Sequence, residues 1–115
     1  MDIDTYSDKT DSTAVYPDRA PENQMIVPLL YCGVKLCGEA GEVAEHIGKL
    51  LRDDDGMITQ ERRESLKKEL GDVFWYLARI CRHLDLKPSE VLQANIDKLE
   101  SRKQRGRIHG SGSDR

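Results

Sequence analysis

Between Leu66 and Leu84 the apolar residues Leu66, Leu70, Val73, Leu77, Ile80 and Leu84 recur at steps of four, three, four, three and four. A strand alternates with period two, so this spacing is that of a helix with one apolar face. A 3.5-residue repeat is the seam of antiparallel bundle packing, and these six residues are expected to form the packed interface. A second helical pattern runs from about Met25 to Arg52. In it Leu29, Leu30, Cys37, Ala40, Val43, Ala44, Ile47, Leu50 and Leu51 recur mostly at steps of three and four. Pro28 suits the first turn, where its missing N–H is no loss. Asp53-Asp54-Asp55-Gly56 reads as a loop, and its acids suit a helix C-terminus badly, which ends the helix near Leu51. Thr59 is the expected N-cap of the seam helix. Pro88 opens a last helix with Val91, Leu92, Ile96 and Leu99 as its stripe, fading near Gln104-Arg105-Gly106. Ahead of all these, a stretch rich in Asp, Ser and Thr leaves room for a short helix around Asp4 to Thr13. An extended arm through Val15-Tyr16-Pro17 follows it. No strand signal or internal repeat is visible, so the expected class is all-α.

A chain of 115 residues is sized for one domain. The expected organisation is an N-terminal arm over 1–24, a helical domain over 25–105 and a flexible tail over 106–115. Hydrophobic residues make up 37% and charged residues 34%, which is polar for a chain that hides its apolar surface unaided. A second copy is expected to cover part of it. The net charge of −3 argues against nucleic acid or an anionic membrane as the main partner. Cys32, Cys37 and Cys81 lack CxxC spacing and have apolar neighbours, so they are expected to be buried thiols rather than zinc ligands or disulfides. With no membrane span and no leader pattern, the expected location is the cytoplasm.

Two stretches carry the chemistry. Gly38-Glu39-Ala40-Gly41-Glu42 and Glu69-Leu70-Gly71-Asp72 each place two carboxylates three residues apart, on nearly the same helix face. Glu69 and Asp72 immediately precede seam residues and should flank the helix interface. Packing the two helices together gathers four acids, which repel one another unless a cation sits among them. A hard divalent ion such as magnesium prefers such oxygen ligands and commonly shares them with phosphates. Gly38, Gly41 and Gly71 lie among the acids, each costing about 1 kcal/mol against alanine in a helix; close approach of a backbone or ligand is the expected reason. Lys49, Lys98, Arg102, Lys103 and Arg105 are candidate partners for phosphate charge. The last four serve equally well as complements to a helix C-terminus. Solvated acids on amphipathic helices are the bland alternative for the whole pattern. His46, His83 and His109 read as surface or boundary histidines, and Phe74 and Trp75 as core.

The segments GEAGEVAEHIGK, KKELGDVFWYLA and NIDKLESRKQRG resemble the MazG family of all-α nucleoside triphosphate pyrophosphohydrolases, from about Thr13 to the C-terminus. The family signature is EExxE followed by ExxD. Here Gly38 replaces the first glutamate, a variant shared with short phage and bacterial members. The resemblance implies that Glu39, Glu42, Glu69 and Asp72 hold Mg2+, with Mn2+ as a substitute. It further implies that water attacks the α-phosphorus of a nucleoside triphosphate, releasing a monophosphate and pyrophosphate. By the same resemblance Tyr76 meets the nucleotide, while Asn95 and Lys98 contact sugar or phosphates. The resemblance also implies that the tail closes over substrate with Arg105 and Arg107 near the phosphates, with a frayed terminus as the alternative. The family assembles as dimers or tetramers whose neighbouring helices complete each site, with a tetramer favoured here. TAVYP and the tail are also similar to the MazZ type, which implies a preference for dGTP. The alternative from another class is a non-catalytic helical module that binds nucleotides or a protein.

Overall fold

The computed structural model describes residues 1–16, 26–106 and 110. It contains α1 (Ile3–Lys9), a 3-10 turn over Thr10–Thr13, α2 (Val27–Arg52), α3 (Gln60–His83) and α4 (Pro88–Gln104). No strand occurs among the described residues. The remainder of the arm and most of the tail, Arg107 and His109 included, lie outside the described residues.

Local signals set the ends of the helices. The Asp2 carboxylate accepts from the Thr5 N–H at 2.7 Å and opens α1. Thr59 Oγ1 accepts from the Arg62 N–H at 3.1 Å and opens α3. Pro28 and Pro88 sit in the first turns of α2 and α4. The loop after α2 turns through Asp55 and Gly56, both with positive φ (53° and 74°). Gly106, at φ 68°, follows the end of α4.

The α2 and α3 helices form an antiparallel hairpin, since His46 meets Arg62 and Glu69 while Tyr31, fifteen positions earlier on α2, interacts with Tyr76. The expected α3 seam is only half right. Leu66, Val73 and Ile80 are half-buried, but Leu70, Leu77 and Leu84 are 45%, 42% and 50% exposed. The inward stripe is instead Arg62, Leu66, Glu69, Val73, Tyr76, Ile80 and His83, all half-buried at alternating steps of four and three. Its counterpart on α2 is Cys32, Leu36, Glu39, Val43, His46 and Leu50. Acids, histidines and a tyrosine thus occupy positions that a purely apolar bundle gives to leucine.

The N-terminal segment is pinned to α3 and α4 by polar bonds. Arg79, buried, donates from Nε to the Tyr16 hydroxyl at 2.9 Å and from Nη1 to Thr10 Oγ1 at 3.1 Å. Arg82 Nη1 reaches the Asp8 carboxylate at 2.9 Å, and Trp75 Nε1 donates to Thr13 Oγ1 at 2.9 Å. Tyr16 also bonds His83 and stacks on Tyr31 with ring centres 5.3 Å apart. Asp4 caps α4 from outside it: its carboxylate accepts from the Ser89 N–H at 2.9 Å and from the Ser89 hydroxyl.

The buried apolar core is small. Among the described residues only Tyr16, Cys32 and Ala78 count as buried and hydrophobic. Phe74, expected in the core, is 53% exposed, and Cys37 is exposed as well. A cleft of about 300 Å³ between α1, α3 and α4 is lined by Tyr6, Phe74, Leu77, Leu84 and Leu92, among others. The α4 stripe of Val91, Leu92, Ile96 and Leu99 is exposed. No helix among the described residues is long and apolar enough to cross a membrane.

Candidate metal and phosphate site

Glu39 lies on the inward stripe of α2 and Glu69 on that of α3, with Asp72 one turn further along α3. The hairpin brings them together: one carboxylate oxygen from each lies within 4.8 Å of the other two. Around an octahedral ion with ligands at about 2.0–2.1 Å, oxygens stand roughly 3–4 Å apart, so small side-chain rotations fit these three to one hard cation. Glu39 and Glu69 are half-buried and Asp72 is exposed, leaving an open side for water or phosphate.

Glu42 is not part of this group. The stripe on α2 advances from Glu39 by four to Val43, so a residue three positions on falls outside it and is exposed. Its charge still reaches Glu39. The Glu39 carboxyl is pushed above its usual range, first by burial, then by Asp72, with Glu69 and Glu42 adding to the effect and Lys35 opposing it. A neighbouring cation would relieve that repulsion. Burial, followed by the charge of Asp72, likewise raises the Tyr6 hydroxyl, so α1 also borders the cluster.

Tyr76 is the expected substrate residue that lies nearest in chemical terms. Its hydroxyl is pushed up by burial, by Tyr31 and by the charge of Glu39. Its ring meets Trp75 edge-on with centres 4.9 Å apart. Tyr31 and Lys35 were not expected at the site; stepping back from Glu39 by four along α2 would have found both. Lys49 pairs with Glu45 one turn away, at 3.3 Å, rather than with the cluster. Asn95, Lys98, Arg102, Lys103 and Arg105 all lie on or at the end of α4, whose main packing is against α1. Arg102 is buried, and Arg105 Nε donates to Ser101 Oγ at 3.1 Å. The structure does not bring these α4 residues to the acids of the same chain.

The interleaved glycines have another cause than close packing inside the chain. A Cβ placed on Gly38, Gly41 or Gly71 would meet nothing within 4 Å.

The sequence profile of the MazG nucleotide pyrophosphohydrolase domain matches residues 32–106. That span holds α3, α4 and nearly all of α2, with every acid of the cluster. Over all 115 residues the chain is 49% identical to the Gene 37 protein of Mycobacterium phage L5, and the match covers both chains completely. No solved structure matches it. The profile covers well over half of the chain, so the chain belongs to the MazG nucleotide pyrophosphohydrolase family, whose enzymes depend on a divalent metal, and Glu39, Glu69 and Asp72 are its candidate ligands.

Proposed function

We propose that the protein hydrolyses deoxynucleoside triphosphates to monophosphate and pyrophosphate with Mg2+ as cofactor and Mn2+ as a substitute. The observation that carries this reading is the convergence of Glu39, Glu69 and Asp72 to within 4.8 Å across the α2–α3 hairpin. Glu42 assists from the edge through its charge. When bound there, the divalent cation neutralises phosphate charge and polarises a phosphoryl oxygen. Water adds to the α-phosphorus, the bridging bond to the β-phosphate breaks, and pyrophosphate leaves with a proton released to solvent. Tyr76 borders Glu39 and offers its ring to the nucleoside with Tyr31 behind it, while Lys35 complements the phosphates. A preference for dGTP rests on the similarity of TAVYP and the tail to the MazZ type alone.

The acting unit is a homo-oligomer, with a tetramer favoured over a dimer. Among the described residues only Tyr16, Cys32 and Ala78 are buried and hydrophobic, while large apolar side chains along α3 and α4 stay open to solvent. Leu70, Phe74 and Leu77 lie along the uncovered face. In such an assembly the exposed Asn95, Lys98 and Arg105 serve the acid cluster of a neighbouring subunit, whereas Arg102 is buried within its own chain.

The test is incubation with each dNTP and NTP, with and without Mg2+, and identification of the products. Monophosphate plus pyrophosphate, lost on chelation, is expected. Diphosphate plus phosphate would exclude attack at the α position, and equal turnover of all four dNTPs would exclude the dGTP preference. Binding without turnover would favour a non-catalytic module.

A further inference from the structure

His46 stands between the acid cluster and an ion pair that has no part in the chemistry described above. Arg62 Nε donates to the Asp54 carboxylate at 2.9 Å, and Arg62 Nη1 lies 2.9 Å from His46 Nδ1. On the other side of the ring, His46 Nε2 lies 3.6 Å from the Glu69 carboxylate. The four side chains are only 15% to 23% exposed. They join the α2–α3 loop, the first turn of α3 and the C-terminal half of α2 to one acid.

The direction of this chain follows from its chemistry. A guanidinium has donors and no acceptor, so Nδ1 of His46 accepts from Arg62. In a neutral imidazole the proton is then on Nε2, the nitrogen that faces Glu69. We propose that His46 is a positioning residue for Glu69: it offers an Nε2–H to the carboxylate, in a tautomer set by Arg62, which Asp54 holds in place. At 3.6 Å the contact is longer than a hydrogen bond, and the proposed bond requires the ring and the carboxylate to draw together. A neutral donor orients Glu69 without placing a positive charge beside the acids. A lysine in its place would compete with the divalent cation for the same carboxylate. The positive charge that sets the tautomer stays one ring further away, balanced by Asp54.

This inference rests on the reading that the acids hold a divalent cation, and it is tested by binding rather than turnover. Mn2+ affinity is measured without nucleotide, by electron paramagnetic resonance, for the native chain and for His46→Ala, His46→Gln, Arg62→Ala and Glu69→Gln. Circular dichroism checks folding. Residues that orient metal ligands are worth about 10–100-fold in affinity. His46→Ala is expected to lose that much, and His46→Gln, whose amide N–H takes the place of Nε2–H, to recover most of it. Nitrogen NMR of the imidazole should show the proton on Nε2 in the native chain and mixed tautomers in Arg62→Ala. Native affinity in His46→Ala, with Glu69→Gln impaired, would overturn the positioning role and leave the metal site standing. Native affinity in Glu69→Gln as well would overturn both. A proton found on Nδ1 would overturn the role assigned to Arg62.

Discussion

Helix α3 has two faces with opposite character. The face toward α2 carries Glu69, Tyr76 and His83, whose polar groups meet α2 or the N-terminal segment. The other face carries Leu70, Phe74, Leu77 and Leu84, which remain 42% to 53% exposed. One chain therefore assembles its own acid cluster while leaving much of its hydrophobic stabilisation to whatever covers the second face. Chemistry and stability are drawn from different sides of one helix and should respond separately to substitution.

The most direct way to break this contrast is to remove an acid. Glu69→Gln or Asp72→Asn should lower turnover by more than about a hundredfold, because a catalytic cation supplies several kcal/mol and each 1.36 kcal/mol is tenfold. Helix content by circular dichroism should not change; unfolding would make these acids structural instead. The complementary change acts on the open face. Phe74→Glu should reduce the mass seen by sedimentation and lower Tm, since covering a large apolar side chain is worth about 1.5–3 kcal/mol. Unchanged mass would mean that this face is not where copies meet.

The polar bracket gives a pH-dependent version of the same contrast. Burial pushes the Tyr16 hydroxyl from 10 up to about 12, with the Cys32 contact adding to the shift and Arg79 opposing it. Below pH 10 the phenol is protonated in both the folded and the unfolded chain, so its stabilising contribution is fully present. Between there and about 12 the unfolded chain releases the proton first, so stability falls as pH rises. Urea melts across this range should show a smaller alkaline loss in Tyr16→Phe. The smallest expected effect sharpens the comparison at the glycines. Gly41→Ala and Gly71→Ala should each stabilise the single chain by up to about 1 kcal/mol, because nothing inside it blocks a methyl group. If turnover or assembly nonetheless falls, a ligand or a second copy approaches those positions.

Helices and their ends were legible because their causes are local. Thr59 caps three residues ahead, Pro28 and Pro88 sit in first turns, and Gly106 closes α4. The seam was misread because periodicity groups residues onto a face without saying what covers it. Leucines were assigned to the interface, while Glu69 and Tyr76 occupy it. Glu39, Glu69 and Asp72 were legible as a group, but which member of the Glu39/Glu42 pair turns inward depends on how α2 rotates against α3. Lys35 lies one turn from Glu39 on the same helix and was open to spacing alone, whereas the contacts of Tyr31 and of the Asp54–Arg62–His46 chain cross the hairpin or its loop, which spacing does not show.

The Asp4–Ser89 bond joins residues 85 positions apart. The bond therefore encloses the whole α2–α3 hairpin in one loop. Lys87 gives the start of α4 no side-chain cap, so the acceptor that an N-terminal turn requires comes only when that loop closes. Loosening the N-terminal segment, as in Asp4→Ala, would thus fray a helix at the far end of the chain.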